Sequence, residues 1–364
     1  MPNNTPSLAQ MAERMNRLRN DIHTQCVIIA DELERGARMN QQAIFSAQNR
    51  VAHQIHLLRQ FIPQFDAAYH AAACETETDG ISRQIRPTDW LAFSAEVGHM
   101  RNWANGWSTI QEKIAAQCPP RRRSLDIKPD KAAQRRAVGD ASDRVAVRLQ
   151  SVLNPHRLAP STAKAGYASE TGLPQSEFLA LLLGAWRLLK AQGRHEKTRF
   201  LDVGCGGGLR VLSALEFFDE AYGLERDPGY ANAARDLFQR DNQGKAEVLE
   251  GDARDFASYD AFDVIHMCRP MRSNRDLHNL EDHVIASSRP QSLVIIDHSG
   301  FNSRANSLGC ARVASRIYLT ASTSRMASSL RRKAELVGTN LAPERPALRS
   351  IWEPILAASK RRGY

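Results

Sequence analysis

Cysteine is sparse and scattered. The six residues (Cys26, Cys74, Cys118, Cys205, Cys268 and Cys310) include no Cys-x-x-Cys pair. That spacing disfavours a disulfide framework and the common zinc sites. No metal is expected, and a reducing cytoplasm is the expected compartment. A long apolar run is also missing. The longest stretch, Phe178 to Leu183 with Trp186 to Leu189 beyond, is broken by Gly184 and Arg187. A membrane span needs ~20 apolar residues, so no membrane partner is expected. Residues 1–20 alternate polar and apolar side chains, which argues against a secretory leader.

What is present is a globular composition: 364 residues, 42% hydrophobic and 24% charged. That length suggests about two domains. The net charge of +9 is uneven. Residues 201–300 carry 10 basic against 18 acidic side chains, residues 119–150 carry 9 against 4, and residues 301–364 carry 12 against 3. Basic stretches of this kind either lie on phosphates or an acidic partner, or form a solvated surface balancing the acidic block.

The N-terminal part reads as helix. Leu8, Met11, Met15, Leu18, Ile22 and Ile29 follow steps of three and four, with Gln25 at the missing position. Ile44, Val51, Ile55, Leu58 and Ile62 repeat the spacing, with Gly36 between the sets and Pro63 as the expected end. This predicts a helical bundle or coiled-coil-like domain over 1–118, and it leaves self-association through the helices open. A further helix is expected from Thr88-Asp89, with Thr88 as its cap. After Pro119-Pro120 the chain turns basic and poor in large apolar residues, which predicts an exposed linker over 119–165, with or without a short helix.

From Arg199 the pattern changes. Candidate strands at Arg199–Val203, Ala221–Leu224, Ala246–Leu249, Phe262–Met267 and Ser292–Ile296 alternate with helical stretches such as Leu209–Phe218, Tyr230–Arg240 and Arg275–Ser287. This predicts an α/β domain over 166–364 with a doubly wound, mainly parallel sheet, preceded by the all-α N-terminal domain. Residues 301–364 form its least legible, basic part. A helix is expected around Ala311–Ile317, another around Met326–Leu336, and a strand at Leu348–Trp352.

The informative run is Asp202-Val203-Gly204-Cys205-Gly206-Gly207-Gly208. Glycines at 204, 206 and 208 let the backbone turn sharply and approach a ligand, and the following helix start suits an anion. The dinucleotide pattern Gly-x-Gly-x-x-Gly fails, because Leu209 occupies its sixth position. The spacing Asp-x-Gly-x-Gly-x-Gly resembles the first motif of the class I S-adenosylmethionine-dependent methyltransferases, whose fold is Rossmann-like. The likeness continues over roughly Pro174 to Ser299. Glu225 ends the second strand, where the family keeps an acid on the ribose hydroxyls. Asp252, followed by Ala253, ends the third, where relatives place an acid or amide near the adenine. The resemblance therefore implies S-adenosyl-L-methionine as cofactor. It implies a cofactor set of Asp202, Gly204, Cys205, Gly206, Gly208, Glu225, Asp252 and Ala253. The activity implied is transfer of a methyl group to a nitrogen or oxygen nucleophile. A catalytically silent cofactor-binding scaffold, assembling through the N-terminal helices, is the alternative.

The fourth strand ends in His266-Met267-Cys268-Arg269-Pro270-Met271. It lacks the Asn/Asp-Pro-Pro-aromatic pattern of amino methyltransferases on adenine or glutamine. It also lacks the Pro-Cys order of the cytosine-C5 enzymes, so Cys268 reads as a packed or lining thiol. Arg269, Met271 and Tyr167 are the expected substrate-facing residues. Arg269 either clamps an anionic substrate or pairs with an acid of this region. His266, His278, His283, His298 and Asp297 are candidate proton acceptors, none of them assigned. The methyl acceptor stays open among small molecule, protein and nucleic acid.

Overall fold

The computed structural model describes residues 7–78, 87–126, 133–153, 173–241, 244–298, 300–341 and 350–364. The chain divides into two compact units, residues 1–121 with 342–364, and residues 122–341. No described helix is long and apolar enough to cross a membrane.

The first unit is helical: α1 (Leu8–Glu34), α2 (Gln41–Thr78), α3 (Pro87–Ala115) and a short helix at Glu353–Arg361 near the C-terminus. The stripes of α1 and α2 are buried together, from Met11 through Ile29 and from Ile44 through Ile62, in one apolar cluster. The seam is thus the unit's own core. Two expectations about α2 and α3 are corrected. Pro63 lies inside α2 rather than at its end. Phe61 and Phe65 on either side are buried, so packing offsets the hydrogen bond that proline forgoes. Thr88 is already helical, because α3 begins at Pro87. The C-terminal segment also differs from the expected boundary. Ile351, Trp352, Ile355 and Ala358 are buried in the helical unit's cluster and not in the sheet domain. Trp352 stacks on Trp107 at 5.1 Å and donates from Nε1 to the Trp103 carbonyl at 3.2 Å. Residues 350–352, the described end of the expected strand, are not extended.

The helix allowed for in the expected linker is present, and it is long rather than short. α4 (Ala133–Leu153) spans 21 residues. It docks on α5 (Gln175–Ala191), where the Asp143 carboxylate accepts from Ser176 N at 2.7 Å and Ser176 Oγ at 2.8 Å. It thereby satisfies one of the unpaired N–H groups in the first turn of α5.

The sheet follows. Five parallel strands, β1 (Arg199–Val203), β2 (Glu220–Glu225), β3 (Ala246–Glu250), β4 (Val264–Met267) and β5 (Leu293–Ile296), are joined by α6 (Leu209–Ala214), α7 (Pro228–Arg240) and α8 (Asn274–Ser287). The strand order is β3-β2-β1-β4-β5-β7-β6. Alternate residues go to opposite faces: Phe200, Val264, Leu293 and Ile295 to one cluster, and Leu201, Val203, Ile265, Met267, Val294 and Ile296 to the other. A sheet buried on both faces accounts for strands that read as continuous apolar runs. The helix expected over Leu209–Phe218 stops at Ala214.

The expected helix at Ala311–Ile317 is instead a hairpin. β6 (Ala311–Ala314) and β7 (Ile317–Leu319) add antiparallel strands beside β5. Ala311, Val313 and Ala314 are buried, and pairing with β7, itself paired with β5, overrides the helix preference of an alanine-rich run. The arginine-rich helix is present as α9 (Ser324–Ala334).

Candidate active site

The strand order reverses between β1 and β4, and ligands of open α/β sheets bind beyond the carboxyl ends of strands at such a point. Register aligns what stands there. Val203 pairs with Leu224 and with Met267, and Met267 pairs with Ile296. One residue further along, Glu225, Gly204, Cys268 and Asp297 form a row across the rim.

The glycine run is pinned to β2. Gly204 N and Cys205 N donate to the Leu224 carbonyl at 2.8 and 3.3 Å, and Gly208 N donates to the Cys205 carbonyl at 3.1 Å. Gly208 has φ of 83°, and a Cβ there would stand 2.6 Å from the Phe238 ring, so only glycine fits. Cys205 is buried beside Gly223. Burial first, then the charges of Asp202 and Glu225, push its thiol well above the ordinary range.

Glu225 organises this rim. Its Oε2 accepts from Gly206 N at 2.9 Å and its Oε1 from Asp227 N at 2.8 Å. Asp227 in turn caps α7 through Gly229 N. Burial raises the Glu225 carboxyl above the ordinary carboxylate range, against the pull of the Asp227 and Gly206 N–H groups. Each carboxylate oxygen offers two lone pairs, so the group keeps acceptor capacity for hydroxyls.

Asp252 is held by two arginines. It accepts from Arg226 Nη1, and from Arg254 N, Nε and Nη2 at 2.9, 3.1 and 2.7 Å. Ala253 is buried, and its carbonyl accepts from the Tyr259 hydroxyl at 2.7 Å. Asp202 is buried on β1, with His266 Nδ1 at 2.7 Å from its Oδ1.

The expected substrate-facing residues scatter. Met271 is fully buried in an apolar cluster, so its expected place against substrate is corrected to a core position. Arg269 is exposed with φ of 42°, and among the described residues it donates to Asn274 Oδ1 at 3.1 Å and not to an acid. Tyr167 lies outside the described residues.

Most candidate bases are engaged elsewhere. His298 Nε2 meets the fully buried Glu281 carboxylate, which also binds Arg304. His283 Nε2 donates to the Phe256 carbonyl at 2.8 Å. Cys268 donates its thiol to Asp297 Oδ2 at 3.6 Å, so it lines this rim. Sequence reasoning did not find the Arg226–Asp252–Arg254 clamp or the Asp202–His266 pair. The second had a signal: both residues sit one position before the end of neighbouring parallel strands.

The residues fit an adenosyl sulfonium in kind. Backbone approach is open along three glycines, Glu225 supplies an acceptor-only carboxylate beside them, and Asp252 a second. Residues 200–290 match a family described as "Methyltransferase domain". The matched stretch runs from β1 through α8, and its likeness is to methyltransferase domains. No curated protein matches the chain. Among solved structures it is similar to the YcgJ protein from Bacillus subtilis, at 17% identity and a TM-score of 0.26, over 31% of this chain and 49% of that one. An RNA methyltransferase from Salinibacter ruber, in complex with S-adenosyl-L-homocysteine, is 19% identical, with a TM-score of 0.28 over 35% and 76% of the two chains. A putative RNA methyltransferase from Pyrococcus horikoshii is 20% identical, with a TM-score of 0.31 over 42% and 80%. The chain thus spans about half the length of the first of these.

Proposed function

We propose that the protein is an S-adenosylmethionine-dependent methyltransferase acting on a nitrogen or oxygen nucleophile. The observation that carries this reading is the bond from Gly206 N to Glu225 Oε2, 2.9 Å, which fixes the glycine turn against a strand-end carboxylate at the switch point. In this reading Glu225 takes the ribose hydroxyls through its remaining lone pairs. Gly204, Cys205, Gly206 and Gly208 line the cofactor's tail, and Asp202 supports them from below. Asp252 and Ala253 border the adenine, with Arg226 and Arg254 holding the Asp252 carboxylate in one place.

When bound, the cofactor supplies a methyl group on a sulfonium, a leaving group that needs no acid assistance. The chain's own contribution is to orient the acceptor and exclude water. The helical unit and the basic segments are the parts left to choose the acceptor.

Calorimetric titration of the full chain with S-adenosylmethionine and S-adenosylhomocysteine tests the cofactor reading. Transfer of labelled methyl to fractionated extract then tests turnover. Binding without transfer in any fraction would favour the silent scaffold, and absence of binding to folded protein would remove both readings.

A further inference from the structure

The rim row divides into two halves. Glu225 and Gly204 belong to the half assigned above to the nucleoside and its tail, and the strand ends left for an acceptor are those of β4 and β5. Four side chains meet there: Cys268, Asp297, Arg316 of the β6–β7 turn and Glu177 of α5. Arg316 Nη1 lies 2.6 Å from Asp297 Oδ1 and 2.9 Å from Glu177 Oε2. One guanidinium serves two carboxylates, so the cluster carries a net charge of about −1. The Asp297 side chain keeps 16% of its surface exposed. Among the described residues its Oδ2 receives only the Cys268 thiol at 3.6 Å, a weak donor that leaves acceptor capacity unused.

Resting on the methyltransferase reading, we infer that Asp297, its charge partly offset by Arg316, recognises the acceptor and selects an amine nitrogen. An anionic acceptor would meet two carboxylates at this rim, and Arg269, the cation expected to greet it, is engaged by Asn274. An alkylamine binds as its ammonium, gives one proton to water, and then directs one N–H to Asp297 Oδ2 and its lone pair to the methyl carbon. The lone pair forms the C–N bond as the C–S pair returns to sulfur, and the positive charge passes to nitrogen beside the carboxylate. The resulting ammonium releases one proton to water. Asp297 thus stabilises charge that develops on the acceptor during transfer.

The test uses the full chain loaded with S-adenosylhomocysteine, titrated with n-butylamine, n-butanol or n-butyrate and followed by saturation-transfer NMR. Butylamine is expected to bind best. Asp297→Asn should weaken it by about tenfold, the scale of one charge-assisted hydrogen bond. Arg316→Gln, which leaves both carboxylates uncompensated, should tighten it, an opposite sign that loss of structure cannot produce. S-adenosylhomocysteine affinity should stay within about twofold in both variants. Preference for butyrate, absence of butylamine binding, or equal butylamine affinity in the wild type and both variants would overturn the inference. Failure of the folded wild type to bind S-adenosylhomocysteine would instead remove the methyltransferase reading beneath it.

Discussion

His266 Nδ1 lies 2.7 Å from Asp202 Oδ1, at paired positions of β4 and β1, with both side chains sealed from solvent. A carboxylate at that distance calls for a donor, so Nδ1 carries the hydrogen. Among the described residues the ring's other nitrogen, Nε2, has no hydrogen-bond partner, and Phe178 and Phe200 flank the ring at 5.0 and 6.4 Å. His266 is therefore a prop for the acid beneath the glycine turn.

Replacing His266 by Phe fills the same apolar space but leaves the Asp202 carboxylate buried without a donor. The expected loss is about 2–4 kcal/mol in urea unfolding, the cost of stranding a buried charged acceptor. His266→Asn, which keeps a donor, should recover part of it. A Phe variant as stable as the wild type would show that the pair contributes packing alone.

Glu225 gives a pH dependence with a defined sign. Its folded-state carboxyl is raised by burial, so between the unfolded and folded values the native state holds more protons than the unfolded one. This group's contribution to stability therefore falls as pH rises through that window and is constant above it. Cofactor affinity runs the other way, because only the ionised carboxylate is a pure acceptor. S-adenosylhomocysteine binding should weaken on acidification at a pH above the ordinary glutamate range. Glu225→Ala should lower affinity by about 1–3 kcal/mol. Unchanged affinity in a folded Glu225→Ala protein would refute the ribose role.

The legible parts of this protein are those whose signal is local. β1 to β5 carry their own apolar runs, and Asp202, Gly204, Gly206 and Gly208 share a single turn. The hairpin of β6 and β7 was not legible, because Ala311 to Ile317 has a helical composition and becomes extended only through pairing within the hairpin and of β7 with β5. α4 was hidden by its surface: Val138, Val145, Val147 and Val152 are all exposed, so it has no clear apolar face to read. Met271 was misplaced because proximity in sequence to a strand end does not say which way a loop residue turns. The two arginines on Asp252 come from different loops, and no single-sequence pattern joins them.

Gly223 tests the tightness of the glycine turn from the strand behind it. A Cβ there would stand 2.3 Å from Cys205 Sγ and 2.8 Å from Cys205 Cβ, nearer than real atoms approach. Gly223→Ala must displace the loop that Glu225 holds. It should cost about 1–3 kcal/mol of stability, the range for overpacking, and weaken cofactor binding with it. A variant with native stability and native S-adenosylhomocysteine affinity would mean that the turn is far softer than these distances indicate.

Thiol labelling reads the same packing chemically. Burial raises Cys26 to about 12 and Cys310 to about 11, and Cys205 well above its ordinary value. The thiolate is the reactive form, so all three should resist iodoacetamide at neutral pH and label only on unfolding. Rapid alkylation of Cys205 in folded protein, mapped by peptide mass, would contradict the closed turn.

Arg187 is the last case, because four backbone carbonyls converge on its guanidinium. Its side chain, 3% exposed, donates to the backbone carbonyls of Arg123, Ser124, Ala334 and Val337 at 2.8 to 3.2 Å. One of these acceptors, Ala334, ends α9, where unpaired carbonyls and the helix dipole favour a cation, and Val337 belongs to the turn that follows. The other two belong to the irregular segment entering the unit, which Arg123 N also ties to the Glu335 carbonyl at 2.7 Å. One guanidinium thus joins α5, α9 and the entering chain. Arg187→Met keeps the length and apolar stem but strands the carbonyls, and should cost about 3–5 kcal/mol. Arg187→Lys, a point charge without the planar fork, should restore less than half of that. Because the residue stands away from the rim, cofactor affinity of the folded fraction should not change. A drop in affinity at native stability would place Arg187 in the site and not in the frame.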